Sequence, residues 1–229
     1  MIEKEAYVLA AGLQKRYELS ESKMMAKIDD SPAISYTMKP ILSVFPEEFV
    51  GIISSELFQN FNDFVTHRYP QARLIIDDTP GLGTAKSLIK SFPWSTESVF
   101  VTEGNIFYDE SLITSMYGLF ERTRSVAVLG VTQKHDVAPT HRRVQLSPKI
   151  NLTRSSTKSS EPISRNIGAY FIQSSIENFL YDGPNDIIDC LALLVSEGAQ
   201  IVAYEYLGTY LHLMNKDDVQ KWQKIFGRV

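Results

Sequence analysis

Three residues near the start of the chain, Gly12, Arg16 and Lys23, have types and spacing suited to holding a phosphate. They follow the apolar run AYVLAA at residues 6–11, which reads as a buried strand. Gly12 lets the chain turn and bring backbone N–H groups close to an anion, and Arg16 and Lys23 add positive charge from the same loop. A solvent-exposed loop lysine is the plainer reading of Lys23. A second concentration of charge lies at residues 133–165, where seven Lys/Arg face only Asp136 and Glu161. That stretch carries +5 in a chain of net charge −4. It suits a phosphorylated ligand or an acidic partner, or else a solvated polar connection.

These residues need a scaffold, and 229 residues with 44% hydrophobic composition supply one sizeable domain. No apolar run approaches the roughly 20 residues that span a bilayer, so a cytoplasmic protein without membrane association is expected. The single cysteine, Cys190, sits in IIDCLALLV and reads as a small buried hydrophobe. A disulfide framework, a thiolate metal site and redox chemistry are excluded on that count.

The first half alternates strand and helix: AYVLAA, PAISYTMKPIL, FVGIISS, ELFQNFNDFVTHR, ARLIID, TAKSLIKSF, SVFVTEG, DESLITSMYGLFERT and SVAVLGV. Strands apolar on both faces, joined by helices, predict a doubly wound parallel α/β sheet whose ligands bind beyond the carboxyl ends of the strands. After Val131 come the basic Ser/Thr-rich stretch, the strand IGAYFIQ, the helix DIIDCLALLVSE, the strands QIVAYEY and TYLHLM and a closing helix DDVQKWQKIF, so the sheet is expected to be mixed. Asn215 is placed to cap that last helix, with Asp217 and Asp218 at its positive end.

The string LAAG at 9–12, Arg16, Lys23 and IDDSPAI at 28–34 resembles the signature of sugar-phosphate nucleotidylyltransferases, LAAGxGxRM followed by PKxLxxIxGxPxI. Further segments match in the family's order: PGLGTAKSL at 80–88, VFVTEGN at 99–105, SEPISRNIGAYFI at 160–172 and GTYLHLMNKDDVQKW at 208–222. The resemblance implies a Rossmann-like doubly wound mixed sheet of the nucleotide-diphospho-sugar transferase type. It implies a single domain, with residues 1–131 as the nucleotide-binding half and 132–229 as the sugar or acceptor half. It also implies transfer of a nucleotidyl group from a nucleoside triphosphate to a sugar 1-phosphate or related alcohol phosphate, with release of pyrophosphate. By the same resemblance Ala10, Ala11, Gly12, Leu13, Asp78, Gly83 and Thr84 contact the nucleotide, Arg16 and Lys23 are catalytic, and Glu161, Asn166 and Gly168 face the sugar.

Family members hold Mg²⁺ through two aspartates, and this chain has Asn105 and His212 in their places. Asn offers a neutral carbonyl and His a nitrogen better suited to transition metals. Glu103 and Asp109 are the carboxylates within reach of repairing the site, His212 and Asn105 are themselves candidate ligands of a softer ion, and His212 also reads as an ordinary strand histidine. Other departures are Gln14 and Lys15 in the glycine loop, and Asp77, Asp78 and Thr79 where a base-reading Gln is common. The base is left open. Gly83 and Thr84 also read as a turn and a helix cap, and Glu161 as a loop charge. The aromatics Tyr7, Phe100, Phe107, Tyr170 and Phe171 read as core, and nothing spaces His135 and His141 as ligands.

The expected function is therefore nucleotidyl transfer, with a nucleoside triphosphate and a phosphorylated alcohol as partners, Mg²⁺ as the family's cofactor, a possible homo-oligomer and no nucleic acid. The alternative is an inactive relative that binds nucleotide or sugar phosphate as a regulatory or partner-binding module. A glycosyltransferase on a similar scaffold would need a DxD-like motif, which TEGN does not supply.

Overall fold

The computed structural model describes residues 2–12, 22–132 and 164–226, together with the backbone of 143–146 and 150–152. In chain order the elements are β1 (Glu5–Leu9), β2 (Lys27–Ile28), β3 (Ser31–Pro32), α1 (Ala33–Val44), β4 (Val50–Ser55), α2 (Gln59–Arg68), β5 (Arg73–Asp77) and α3 (Thr84–Leu88). Then come β6 (Ser98–Glu103), β7 (Ile106–Phe107), α4 (Glu110–Thr123), β8 (Ala127–Thr132), β9 (Arg143–Leu146) and β10 (Ile150–Leu152). The chain closes with β11 (Ser164–Gln173), α5 (Glu177–Asp182), α6 (Ile187–Ser196), β12 (Ile201–Glu205), β13 (Leu211–His212) and α7 (Lys216–Phe226).

The main sheet runs β10-β9-β11-β6-β1-β4-β5, and β8 pairs with both β11 and β12. Strands β6, β1, β4 and β5 are parallel, as are β8 and β12, while β11 lies antiparallel between β6 and β8. The alternating apolar runs thus form the expected Rossmann-like α/β fold. Strands from both sides of residue 131 interleave in one mixed sheet.

The alternation of side chains along a strand explains why both faces read as apolar. In β1, Ala6 and Val8 enter the hydrophobic cluster on the face of α1, α2 and α4, while Tyr7 and Leu9 enter the cluster on the face of α3, α5 and α6. Phe100 in β6 joins the first cluster and Val99 and Val101 the second. Cys190 is fully buried in the second cluster. A third, smaller cluster joins Trp222 of α7 to Ile28, Ala33 and Leu213.

Two elements are shorter than their sequence pattern. TAKSLIKSF is α-helical only over Thr84–Leu88 and tightens to a 3₁₀ turn at Ile89–Ser91. TYLHLM pairs only through Leu211 and His212, against β7 in a separate two-stranded ribbon. Asn215 caps α7 as its sequence position predicts, its Oδ1 accepting from the N–H groups of Asp217 at 2.9 Å and Asp218 at 3.2 Å. Asp218 Oδ2 returns the contact by accepting from the N–H groups of Met214 and Asn215, the reciprocal arrangement of a capping box.

Candidate functional site

Strands β1 and β6 end side by side, with Leu9 in register with Glu103. Gly104 N–H donates to Leu9 O at 2.9 Å, so the end of β6 wraps over the end of β1. A cleft of about 180 Å³ opens there, lined by Leu9, Ala11, Gly12, Lys23, Met24, Gly81, Gly83, Thr84, Ser87, Glu103, Asn105 and Asp186. It lies beyond the carboxyl ends of parallel strands, where ligands of open α/β sheets bind.

Ala10 and Ala11 are buried, and Gly12 stands at the exposed rim. Gly12 has no positive φ, and a Cβ added to it would meet nothing within 4 Å. Its turn therefore does not demand glycine; the missing side chain leaves room at the rim instead. Lys23 begins a 3₁₀ turn, Lys23–Met25, that is tied down by burial of Met24 and by the Ser22 hydroxyl accepting from Met24 N–H at 3.3 Å. Leu13, Arg16 and Glu161, like Gln14, Lys15, His135, His141 and most of the basic stretch, lie outside the described residues.

On the opposite wall Gly83 and Thr84 open α3. Gly83 has φ 139°, and a Cβ there would lie 2.4 Å from Asn185 O, so only glycine fits. Thr84 is not the helix cap, because Gly83 holds that position. Asp186, from the start of α6, does the capping from outside: its Oδ1 accepts from Thr84 N–H at 3.1 Å. Asn185 O accepts from Ala85 N–H at 2.8 Å, and Thr84 Oγ1 accepts from Ile187 N–H at 3.0 Å. The two helix starts thereby cap each other, and the N–H groups of Thr84 and Ala85 are already committed within the protein.

Asp78 does not line the cleft; it is exposed and ion-paired with Lys90, whose hydrogen bond holds the carboxyl below its usual range. Its neighbour Asp77 is the buried one. Asp77 accepts from Thr79 N–H at 2.9 Å and from the Ser87 hydroxyl at 2.6 Å, bracing the loop before α3.

Asn105 sits in the turn between β6 and β7, and Thr37 of α1 holds that turn with its hydroxyl 2.9 Å from Gly104 O and 2.6 Å from Ile106 O. The Asn105 amide is 2.9 Å from Leu213 O and 2.6 Å from His212 Nε2. A carbonyl only accepts, so the amide turns its NH₂ to Leu213 and to His212, which assigns Nε2 as acceptor and places the imidazole proton on Nδ1. Tyr210 Oη lies 3.5 Å from that Nδ1. Glu103 Oε2 is 3.7 Å from His212 Nε2, with 29% of the Glu103 side chain exposed. Burial pushes the Glu103 carboxyl up, Lys23 opposes this and Asp186 adds to it. Asp109 is engaged elsewhere, capping α4 through Ser111 N–H and accepting from the Tyr206 hydroxyl at 2.6 Å.

Asn166 and Gly168 sit at an irregularity in the β11–β8 pairing and are not among the residues that line this cleft. Asn166 Oδ1 accepts from Gly168 N–H at 3.1 Å and its amide donates to the Tyr170 hydroxyl. Gly168, at φ 76°, packs against Glu103.

Where the sequence resemblance leads one to expect a Mg²⁺ site, the donor set is one carboxylate, one neutral amide and an imidazole whose nearer nitrogen is already accepting. A hard cation prefers several anionic oxygens, and this set does not fit it. Among the described residues no group of three or more His, Cys, Asp or Glu gathers as a metal site, and no helix is long and apolar enough to cross a membrane.

Sequence reasoning missed Asp186, Ser87 and Thr37. The signal that could have found Asp186 is the helix-start pattern ND before IIDC, which points to a capping residue but not to the second helix it serves. For Ser87 the available signal is its place one turn on from Thr84, on the same helix face.

No protein-family model and no curated protein matches the chain. Solved structures do. The inositol-1-phosphate CTP transferase of T. maritima superposes with a TM-score of 0.81 at 17% identity, over 96% of this chain and 95% of that one. The UDP-glucose pyrophosphorylase of Acinetobacter baumanii gives 0.76 at 15% identity, over 99% and 94%. With the strand order and the cleft, these similarities establish that the chain has the sugar-phosphate nucleotidyltransferase fold.

Proposed function

We propose that the protein transfers a nucleotidyl group from a nucleoside triphosphate to a sugar 1-phosphate or related alcohol phosphate. One observation carries this reading: Gly12, Lys23, Gly83 and Thr84, from separate segments, line one cleft at the carboxyl ends of β1 and β6. In this scheme an oxygen of the acceptor phosphate bonds to the α-phosphorus, the bond from that phosphorus to the β-phosphate bridging oxygen breaks, and pyrophosphate leaves. The protein's contribution is placement and charge stabilisation. Lys23 offsets charge on the α-phosphoryl oxygens and Arg16 meets the leaving phosphates; Ala10 to Leu13 and the Gly83–Thr84 wall hold the nucleotide, and Glu161 and the Asn166–Gly168 segment serve the acceptor side. Pyrophosphate release from CTP, UTP, GTP, ATP and dTTP, each with inositol 1-phosphate or a hexose 1-phosphate, tests the proposal. Release with one pair, lost in Lys23→Ala, supports it; no release from any pair sinks it.

A second reading, a binding module without turnover, is favoured by the closed hydrogen bonding of Asn105 and His212. Saturable nucleotide binding without pyrophosphate release would select it.

A further inference from the structure

We infer that the cleft takes its phosphorylated ligand without a resident divalent cation, because the protein's own side chains, Asn105 hydrogen-bonded to His212 and Leu213, stand where such an ion would be held. The inference rests on the nucleotide-site reading for its ligand, but its geometry stands independently. Asn105 is buried, and its amide already donates to Leu213 O at 2.9 Å and His212 Nε2 at 2.6 Å. With its NH₂ so engaged, Asn105 has only its neutral side-chain carbonyl to offer a cation, a weaker ligand for a hard ion than a carboxylate oxygen. His212 would have to surrender the Asn105 contact to offer Nε2, and its far nitrogen faces Tyr210. The amide is held further by its turn, which Thr37 grips at Gly104 O and Ile106 O, and by Leu213 N–H donating to Asn105 O at 2.8 Å. Of the remaining carboxylates in the cleft, Asp186 is committed through Oδ1 to Thr84, and Glu103 alone does not make the oxygen cage a hard cation requires. Among the described residues that line the cleft the one basic side chain is Lys23.

The test has two arms. In the first, CTP, UTP, GTP, ATP and dTTP are titrated calorimetrically in EDTA and in MgCl₂; the dissociation constant of the bound nucleotide is expected to agree within about threefold between the buffers. Binding tighter by about tenfold or more in MgCl₂ overturns the inference. In the second, Mn²⁺ binding to the protein alone is followed by water-proton relaxation. Wild type is expected to give no saturable enhancement, while Asn105→Asp/His212→Asp gains one; His212→Asp alone serves if the pair does not fold. Saturable Mn²⁺ binding by wild type that is lost in Glu103→Gln overturns the inference. If no nucleotide binds in either buffer, the nucleotidyl-transfer reading falls, and the Mn²⁺ arm still decides the cation question.

Discussion

Gly168 and Glu103 are packed so closely that a Cβ on Gly168 would lie 2.9 Å from the Glu103 carboxyl carbon and from its Oε1. The contact joins the irregular part of β11 to the floor of the cleft. Asn166 fixes the backbone there by accepting from Gly168 N–H, and φ at Gly168 is 76°. Gly168→Ala is expected to lower stability by about 1–3 kcal/mol, since strain and crowding act together. Urea unfolding measures this. An unchanged midpoint would mean that Glu103 simply rotates aside.

Lys23→Ala, in a chain active as proposed, is expected to lower kcat by about a hundredfold while KM changes little, because a charge met mainly in the transition state acts on the rate. Steady-state kinetics separate the two parameters. A rise in KM at constant kcat would assign Lys23 to ground-state binding.

Thr84 and Asp186 cap each other's helices across 102 residues of chain. Thr84→Val removes the acceptor for Ile187 N–H and should cost about 1 kcal/mol, and Asp186→Ala should cost about 1–2 kcal/mol. The double variant is expected to cost less than the two singles combined, by about 0.5 kcal/mol or more. Additive costs from thermal unfolding would deny the coupling.

Cys190 donates its thiol to Pro184 O at 3.2 Å, and burial pushes that thiol up to about 11. A disulfide reagent at about pH 8 should react only after denaturant unfolds the protein. The sign of the pH effect follows: folding disfavours the thiolate, so this contribution to stability is present below 9.0 and is lost as pH rises through about 11. Cys190→Ala should flatten the stability curve in that window. Prompt labelling of the folded protein would contradict the burial argument.

The sequence by itself determined the order of the longer strands and helices, though not β2, β3, β7, β9, β10 or α5, because the longer ones are encoded locally: residues of β1 alternate between two apolar faces, and Asn215 caps its own helix. It also marked Gly12, Lys23, Gly83 and Thr84 through the resemblance of their segments, and those four do share a cleft. Asn105 and His212 stood out through the same resemblance, as the two places where it leads one to expect carboxylates.

What the departures do was decided only in three dimensions. The Asn105 amide reaches a partner 107 residues away, and which of its atoms faces that partner depends on the Leu213 carbonyl beside it. Which of Asp77 and Asp78 is buried depends on side-chain direction at the end of β5, which turns Asp77 toward Ser87 and leaves Asp78 to Lys90. Strand β11 enters between β6 and β8 because sheet pairing ignores distance along the chain. Local propensity writes the elements; contacts between residues far apart in sequence exist only once those elements have packed.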